Sequence, residues 1–341
     1  MRKLLNTLYV TTPEAYLSKD GENVVVKIKD EERFRIPILN IEGIVSFGYM
    51  GASPQLIKMC AEHNVGLSFM SSNGEFLGRV SGKIRGNVLL RRIQYRIADD
   101  KEKSLQISSV FIAGKIANMR SVIERYRRDY GGEDEGLEEI SLHLKMCKRR
   151  AFHANDSDSL RGIEGDAANC YFSVFDRMII QQKSSFVFEG RNRRPPKDKV
   201  NALLSFLYTL LAHDVQSALE TVGLDPFVGF MHTDRPGRAS LALDMMEEFR
   251  AYFCDRLVLS LINRRQISEK DFIIQGEAGV IMSDNGRKMV IQAWQNKKQE
   301  EIIHPYLKEK VKIGLLPYIQ AMLMARYLRG DLDGYAVFLI Q

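Results

Sequence analysis

Near Asn87 the spacing of apolar residues changes period, and that change divides the chain into two kinds of structure. Before it, apolar residues come in short runs broken by turn residues: LLNTLYV, EAYLS, NVVVKIK, FRIPIL, GIVSFG and VGLSFMS. Short runs rich in β-branched residues and bounded by turn signals predict strands. Asp20-Gly21 and Asn73-Gly74 favour positive φ and predict tight hairpins. Only SPQLIKMCAEH has helical spacing in this half. The expectation for residues 1–85 is a small β-sandwich carrying one helix.

Beyond Asn87 the apolar spacing becomes helical in LLRRIQYRIADD, SSVFIAGKIANMRSVIERYRR and VNALLSFLYTLLAHDVQSALETVG. The last follows Pro195 and Pro196, has Asp198 as its N-cap and meets Gly223 just past its end. RGIEGDAANCYFSVFDRMIIQQ and SLALDMMEEFRAYFCDRLVLSLI read as two further helices, the second with Ser240 as N-cap. The fold class is therefore α+β. A β-rich domain over 1–85 precedes a mainly α-helical domain over 86–341, with no internal repeat and an exposed basic loop at RNRRPPKDK.

A chain of 341 residues suits two domains, and a 45% hydrophobic fraction supplies their cores. A net charge of +6 and a pI near 9.0 are compatible with a polyanionic partner without requiring one. Cys60, Cys147, Cys170 and Cys254 form no C-x-x-C pair, which argues against a disulfide framework or a structural zinc site and for the reducing cytoplasm. Polar residues interrupt MRKLLNTLYVTTPEAYL, so it lacks the apolar core of a signal peptide. LLSFLYTLLA is too short and too polar to span a bilayer.

Chemistry-bearing residues appear at three places. On the helix containing RGIEGDAANCYF, Ala168, Tyr171 and Phe175 form a stripe with Glu164 at its head. A carboxylate there is costly unless paired, although an N-terminal acid favoured by the helix dipole is the simpler reading. Asp244, Glu247 and Glu248 follow Ser240 and fit the same dipole reading. Yet Asp244 and Glu247 share a face, and Glu247 leans towards Met246, Phe249 and Phe253. His232, taken alone, reads as a hydrogen-bonded structural histidine.

Together, one imidazole and two or three carboxylates make a site for a hard or borderline divalent ion. Magnesium prefers oxygen, manganese accepts imidazole more readily, and zinc also suits histidine with carboxylate. Such an ion acidifies a bound water or hydroxyl and neutralises charge on a phosphate. Tyr171, two turns after Glu164, either reaches that site or is a core aromatic.

Basic residues crowd the helical half: Lys83, Arg85, Arg91, Arg92 and Arg96, then Lys148 to Arg150, then Arg191, Arg193, Arg194, Lys197 and Lys199. A charge run is usually a solvated face, the reading kept for Lys148 to Arg150. Arg235 and Arg238 flank His232, where planar guanidinium suits bidentate phosphate contact. Three function classes remain open on the residues: a metal-dependent enzyme acting on DNA, a phosphodiesterase for small phosphates in a closed pocket, and a non-catalytic DNA scaffold whose acids only cap helices.

Four ordered blocks narrow the choice: RGIEGDAANCYF, NRRPPKDKVNALLSFLYTLL, GLDPFVGFMHTDRPGRASLALDMMEEFR and QAMLMARYLRGDLDGYAVF. With the β-rich start they resemble, over essentially the whole chain, the CRISPR-associated integrase and endonuclease, the universal "protein one" of spacer acquisition. The long RPGRASLALDMMEEFR version looks most like the type I-C branch. The resemblance implies a homodimer formed by the β-sandwich domain, a helical catalytic domain, and a small "protein two" bridging two dimers. It implies joining of protospacer 3′-hydroxyl ends to repeat-array DNA by transesterification, and cleavage of branched DNA.

Magnesium or manganese would be held by Glu164, His232 and Glu247, with Asp244 beside them. Glu247 stands where other members carry aspartate, so Glu247 and Asp244 are alternatives for the direct bond. Arg161, Arg193, Arg194, Arg235 and Arg238 are the candidates for DNA contact, whereas Met322 stands where a basic residue is expected. No Walker-type phosphate loop is present, consistent with one phosphodiester replacing another.

Overall fold

The computed structural model describes residues 7–63, 65–71, 76–80, 87–130, 135–192, 195–276 and 279–340. The chain divides into two compact units, Met1–Arg85 with Asp284–Gln299, and Gly86–Ser283 with Glu300–Gln341.

The first unit runs β1 (Thr7–Val10), β2 (Ala15–Asp20), β3 (Asn23–Ile28), β4 (Glu31–Pro37), β5 (Gly43–Phe47), α1 (Pro54–His63), β6 (Gly66–Met70) and β7 (Phe76–Val80). One sheet is an antiparallel β2-β3-β4 meander. The other, ordered β1-β5-β6-β7, is parallel except for its β6–β7 pair, and α1 supplies the crossover that a parallel β5–β6 pair requires. Val10, Leu17, Val24, Val26, Ile44 and Leu67 bury into one core with Leu56, Met59 and Cys60 of α1. The two sheets therefore share an interior, as expected of a sandwich.

Two hairpin turns differ in how visible they are. Gly21, with φ +55, opens the two-residue turn between paired Asp20 and Asn23, as the Asp-Gly signal predicts. The β3–β4 turn uses Lys29 (φ +50) and Asp30 (φ +65), both left-handed, without the Asn-Gly chemistry that announces such a turn. Asn73-Gly74 lies outside the described residues.

The second unit is mainly helical: α2 (Val88–Asp99), α3 (Lys101–Tyr130), α4 (Glu135–Phe152), α5 (Ser157–Ser173), α6 (Lys199–Val222), α7 (Ser240–Phe249) and α8 (Arg256–Asn263). A π-helical segment, Arg250–Asp255, joins α7 to α8. Short strands β8 (Phe272–Ile274) and β9 (Val280–Met282) follow. The helix α9 (Asp284–Gln299) belongs to the first unit, where Gln295 Nε2 donates to the Thr7 carbonyl at 3.3 Å and Arg287 lies 5.7 Å from the Phe47 ring centre. The chain then completes the second unit with β10 (Glu301–Ile303), β11 (Lys310–Lys312) and α10 (Leu316–Leu328). Among the described residues, no helix is long and apolar enough to cross a membrane.

The long α3 packs against α4, α5 and α7 and buries Ile107, Phe111, Ile112, Ile116 and Met119. On α6 the signals work as written: Asp198 accepts from Asn201 N at 2.8 Å, and Gly223 ends the helix at φ +94. The α5 helix departs from expectation. Asp156 caps it, accepting from Ser159 N at 2.7 Å, and after Ser173 the chain tightens into a 3₁₀ turn at Phe175–Met178. Its buried stripe is Leu160, Ile163, Ala167 and Tyr171, so Glu164 lies on the flank of the stripe, past the second turn. Ser240 is the first residue of α7 rather than its cap; Ala239 precedes it and makes no side-chain capping bond.

Candidate active site

Three helices bring charged groups to one buried place. Lys115 projects from α3 and Glu247 from α7, both buried, and Glu164 reaches them from α5 with its side chain 28% exposed. The Lys115 ammonium bonds Glu164 Oε1 and lies 2.9 Å from Glu247 Oε2. The second contact is an ion pair on a buried carboxylate oxygen. Arg250 Nη1 pairs with Glu247 Oε1 at 2.9 Å while its guanidinium lies 5.0 Å from the Tyr208 ring centre. Burial alone would raise the Glu247 carboxyl, but Arg250 and Lys115, with a smaller push from His232, hold it down to about 2. Glu247 is therefore a fixed anion.

The histidine is held from the same helix. His232 Nδ1 lies 2.5 Å from Asp244 Oδ1, and that oxygen also accepts from His232 N at 3.0 Å. Asp244 Oδ2 accepts from Phe230 N at 2.7 Å and Met231 N at 3.0 Å. Both oxygens are spent on the loop that carries the imidazole, which fixes the ring and commits Nδ1, leaving Nε2 as its other donor atom. Gly229 permits the wrap: a Cβ there would meet Asp244 Oδ2 at 2.6 Å and Ser240 backbone carbon at 2.8 Å.

These acids are not helix caps. Asp244, Glu247 and Glu248 are all buried, each with its own partners beyond the first turn of α7. Glu248 faces away into the C-terminal segment, accepting from Tyr335 Oη at 2.6 Å, Phe338 N at 2.6 Å and Gln320 Nε2 at 3.0 Å. Burial nevertheless pushes its carboxyl up to about 8. Tyr171 is a core aromatic whose hydroxyl donates to Asp255 at 3.1 Å, where Tyr208 also donates at 2.7 Å.

The expected basic residues divide by use. Arg191 bonds Asn201 Oδ1 at 2.6 Å and Ser205 Oγ at 3.1 Å, and Lys199 bonds the Ser185 carbonyl at 2.9 Å, so both are spent inside the fold. Arg161 is exposed, pairing with Asp158 at 2.6 Å and touching the Met231 carbonyl at 3.4 Å. Arg235 is exposed and Arg238 half-buried in the loop after His232. Lys83, Arg85, Arg193 and Arg194 lie outside the described residues. Lys115 and Arg250 were missed. The first carried a signal, a lysine among the apolar residues of FIAGKIANM; the second had none apart from its place one turn after Glu247.

A family model described as CRISPR associated protein Cas1 matches residues 8–296. The chain belongs to the Cas1 family. Among Cas1 relatives, the CRISPR-associated endonuclease Cas1 1 of Chlorobaculum tepidum is 52% identical over 340 residues, 99% of each chain. The fold resembles a casposase bound to integration product, with TM-score 0.84 and 23% identity over 98% of this chain and 93% of that one. It also resembles part of a Cas6-RT-Cas1–Cas2 complex, with TM-score 0.85 and 22% identity over 100% of this chain and 37% of that one.

Proposed function

We propose that the chain is a divalent-metal-dependent DNA endonuclease and integrase of CRISPR adaptation, joining protospacer 3′-hydroxyl ends to repeat-array DNA and able to cleave branched DNA. The observation that carries this reading is the convergence of Glu164 and Glu247, from separate helices, on one cationic position, with His232 held by Asp244 of the helix that carries Glu247. The residues suit a metal ion. The Lys115 ammonium stands in for a cation between two carboxylates, meeting Glu164 Oε1 and lying 2.9 Å from the buried Glu247 Oε2.

Glu164, Glu247 and His232 Nε2 would hold magnesium or manganese. Asp244, with its lone pairs committed, positions the imidazole from behind rather than ligating. When bound, the ion activates the attacking hydroxyl and offsets charge gathering on the phosphate. Lys115 and Arg250 keep Glu247 ionised and hold the two glutamates together against their mutual repulsion. Arg161, Arg235 and Arg238, with Arg193 and Arg194, are assigned to backbone phosphates, positioning DNA without reading sequence. A 3′-hydroxyl as nucleophile gives integration, and water in its place gives cleavage.

The casposase likeness and the complex containing Cas1–Cas2 support the DNA substrate and a Cas2-type partner. We assign homodimerisation to the β-rich unit and the bridging of two dimers to that partner. The test is strand transfer with paired substrates, one ending in a 3′-hydroxyl and one in a 3′-deoxy end. Joined product from the first alone supports the reading; equal product from both, or none with either, overturns it.

A further inference from the structure

Away from that site, α4 and α5 pack together and each offers two donor side chains one turn apart: His143 and Cys147 on α4, Asp166 and Cys170 on α5. His143 Nε2 lies 3.2 Å and 3.1 Å from the two Asp166 oxygens. Cys147 Sγ is 3.4 Å from Asp166 Oδ2, and Cys170 Sγ is 3.8 Å from Oδ1. The donor atoms of His143, Asp166 and Cys170 all fall within 4.8 Å of one another, and Cys147 joins them through its contact with Asp166. Cys147 is buried, Cys170 half-buried, and neither is in a disulfide.

We propose that His143, Cys147, Asp166 and Cys170 form a second metal centre, a zinc(II) site that staples α4 to α5. Residues four apart on a helix share a face, so each helix presents its pair towards the other. Two thiolates, an imidazole and a carboxylate make a four-donor set suited to tetrahedral zinc, whereas magnesium prefers oxygen throughout. Zinc with two thiolates and one carboxylate would carry a single net negative charge, and Arg150 stands ready to balance it, its Nη1 3.3 Å from Asp166 Oδ2.

The four scattered cysteines form no C-x-x-C pair, which argued against a structural zinc site. Here the spacing is helical, and the fold brings the halves together. Asp166 lies two residues after Glu164 on the same helix, so the staple fixes the rotation at which α5 presents that glutamate. The zinc centre stands whether or not Glu164 binds a catalytic ion.

The test uses the full-length protein stripped of metal and titrated with cobalt(II), then zinc(II). One equivalent of cobalt should give tetrahedral visible bands and an intense thiolate charge-transfer band in the near ultraviolet, both abolished by zinc. Cys170→Ser should remove roughly half of the charge-transfer band, and His143→Ala, which leaves both thiols in place, should weaken cobalt binding roughly tenfold or more. Cys60→Ser, Glu164→Gln and His232→Ala should all keep the band, which separates this centre from the proposed catalytic one. Zinc should raise the melting temperature of the wild type and leave that of the Cys147→Ser/Cys170→Ser double variant unmoved. Absence of a thiolate band in saturating cobalt, or its persistence in the Cys147→Ser/Cys170→Ser double variant, overturns the proposal.

Discussion

Lys115 decides what two glutamates can do together. Its buried ammonium meets Glu164 and Glu247 at once, so removing it leaves two acids facing each other with only Arg250 to offset them. Lys115→Met is expected to cost on the order of 3 kcal/mol, as breaking a buried ion pair does, with part of the loss recovered in manganese. Thermal melts with and without manganese check this; a destabilised variant indifferent to the ion would contradict a cation site. Asp244→Asn should lower metal affinity and strand transfer roughly 10- to 100-fold, because an amide cannot serve the backbone donors and the imidazole as the carboxylate does. Calorimetric metal titration together with the strand-transfer assay reads both effects. Glu164, His232, Asp244 and Glu247 were all legible as residues of interest, but the commitment of Asp244 to the His232 loop was not. It depends on three backbone N–H groups, at Phe230, Met231 and His232, whose direction no spacing rule encodes.

At the level of elements, the segment between α7 and α8 shows why some of the fold was hidden. The apolar pattern of SLALDMMEEFRAYFCDRLVLSLI runs on as one helix, yet Arg250–Asp255 winds as a π-helix and carries Arg250 and Asp255 at its two ends. Such insertions recur at functional sites and leave no clear mark on periodicity. Asp255 gives a test. Burial outweighs the hydroxyls of Tyr208 and Tyr171 and pushes its carboxyl up from 3.8 to about 6. The folded state thus holds a proton that the unfolded chain releases, a stabilisation fully present below about pH 4 and lost as pH rises through about 6. Asp255→Asn should flatten that fall, worth on the order of 3 kcal/mol, when wild type and variant are compared by denaturant unfolding at each pH. Identical profiles would contradict it. The hairpins make the opposite point. Asp20-Gly21 was readable because glycine announces its φ, whereas Lys29 and Asp30 occupy left-handed positions that their side chains do not advertise. Replacing them by Asn-Gly should stabilise the protein by roughly 1 kcal/mol, read as a raised denaturation midpoint, and a loss of stability would show that the turn is set by other contacts. α6 was legible from end to end because cap, apolar face and terminal glycine agree; α5 was misplaced because its true cap, Asp156, lies upstream of the block that drew notice.

For the whole molecule, the change of apolar period correctly divided strand-rich from helical structure, but it had no means of showing that α9 folds with the first unit. Association through the β-rich unit should give a particle of about twice 39.0 kDa in light scattering without DNA, and a monomer at working concentrations would count against it. Affinity for duplex DNA should be largely independent of sequence and fall by orders of magnitude between low and moderate salt if roughly six phosphates are neutralised. A salt-independent affinity would mean that the exposed arginines are solvated faces. The central claim is that Glu164, His232 and Glu247 hold the ion on which DNA joining depends. Its most direct measurement is strand transfer in manganese with wild type, Glu164→Gln and His232→Ala side by side, with DNA affinity measured on the same preparations. Both variants should lose roughly a thousandfold or more in joining while binding DNA as the wild type does; near-normal joining by either would contradict the metal site.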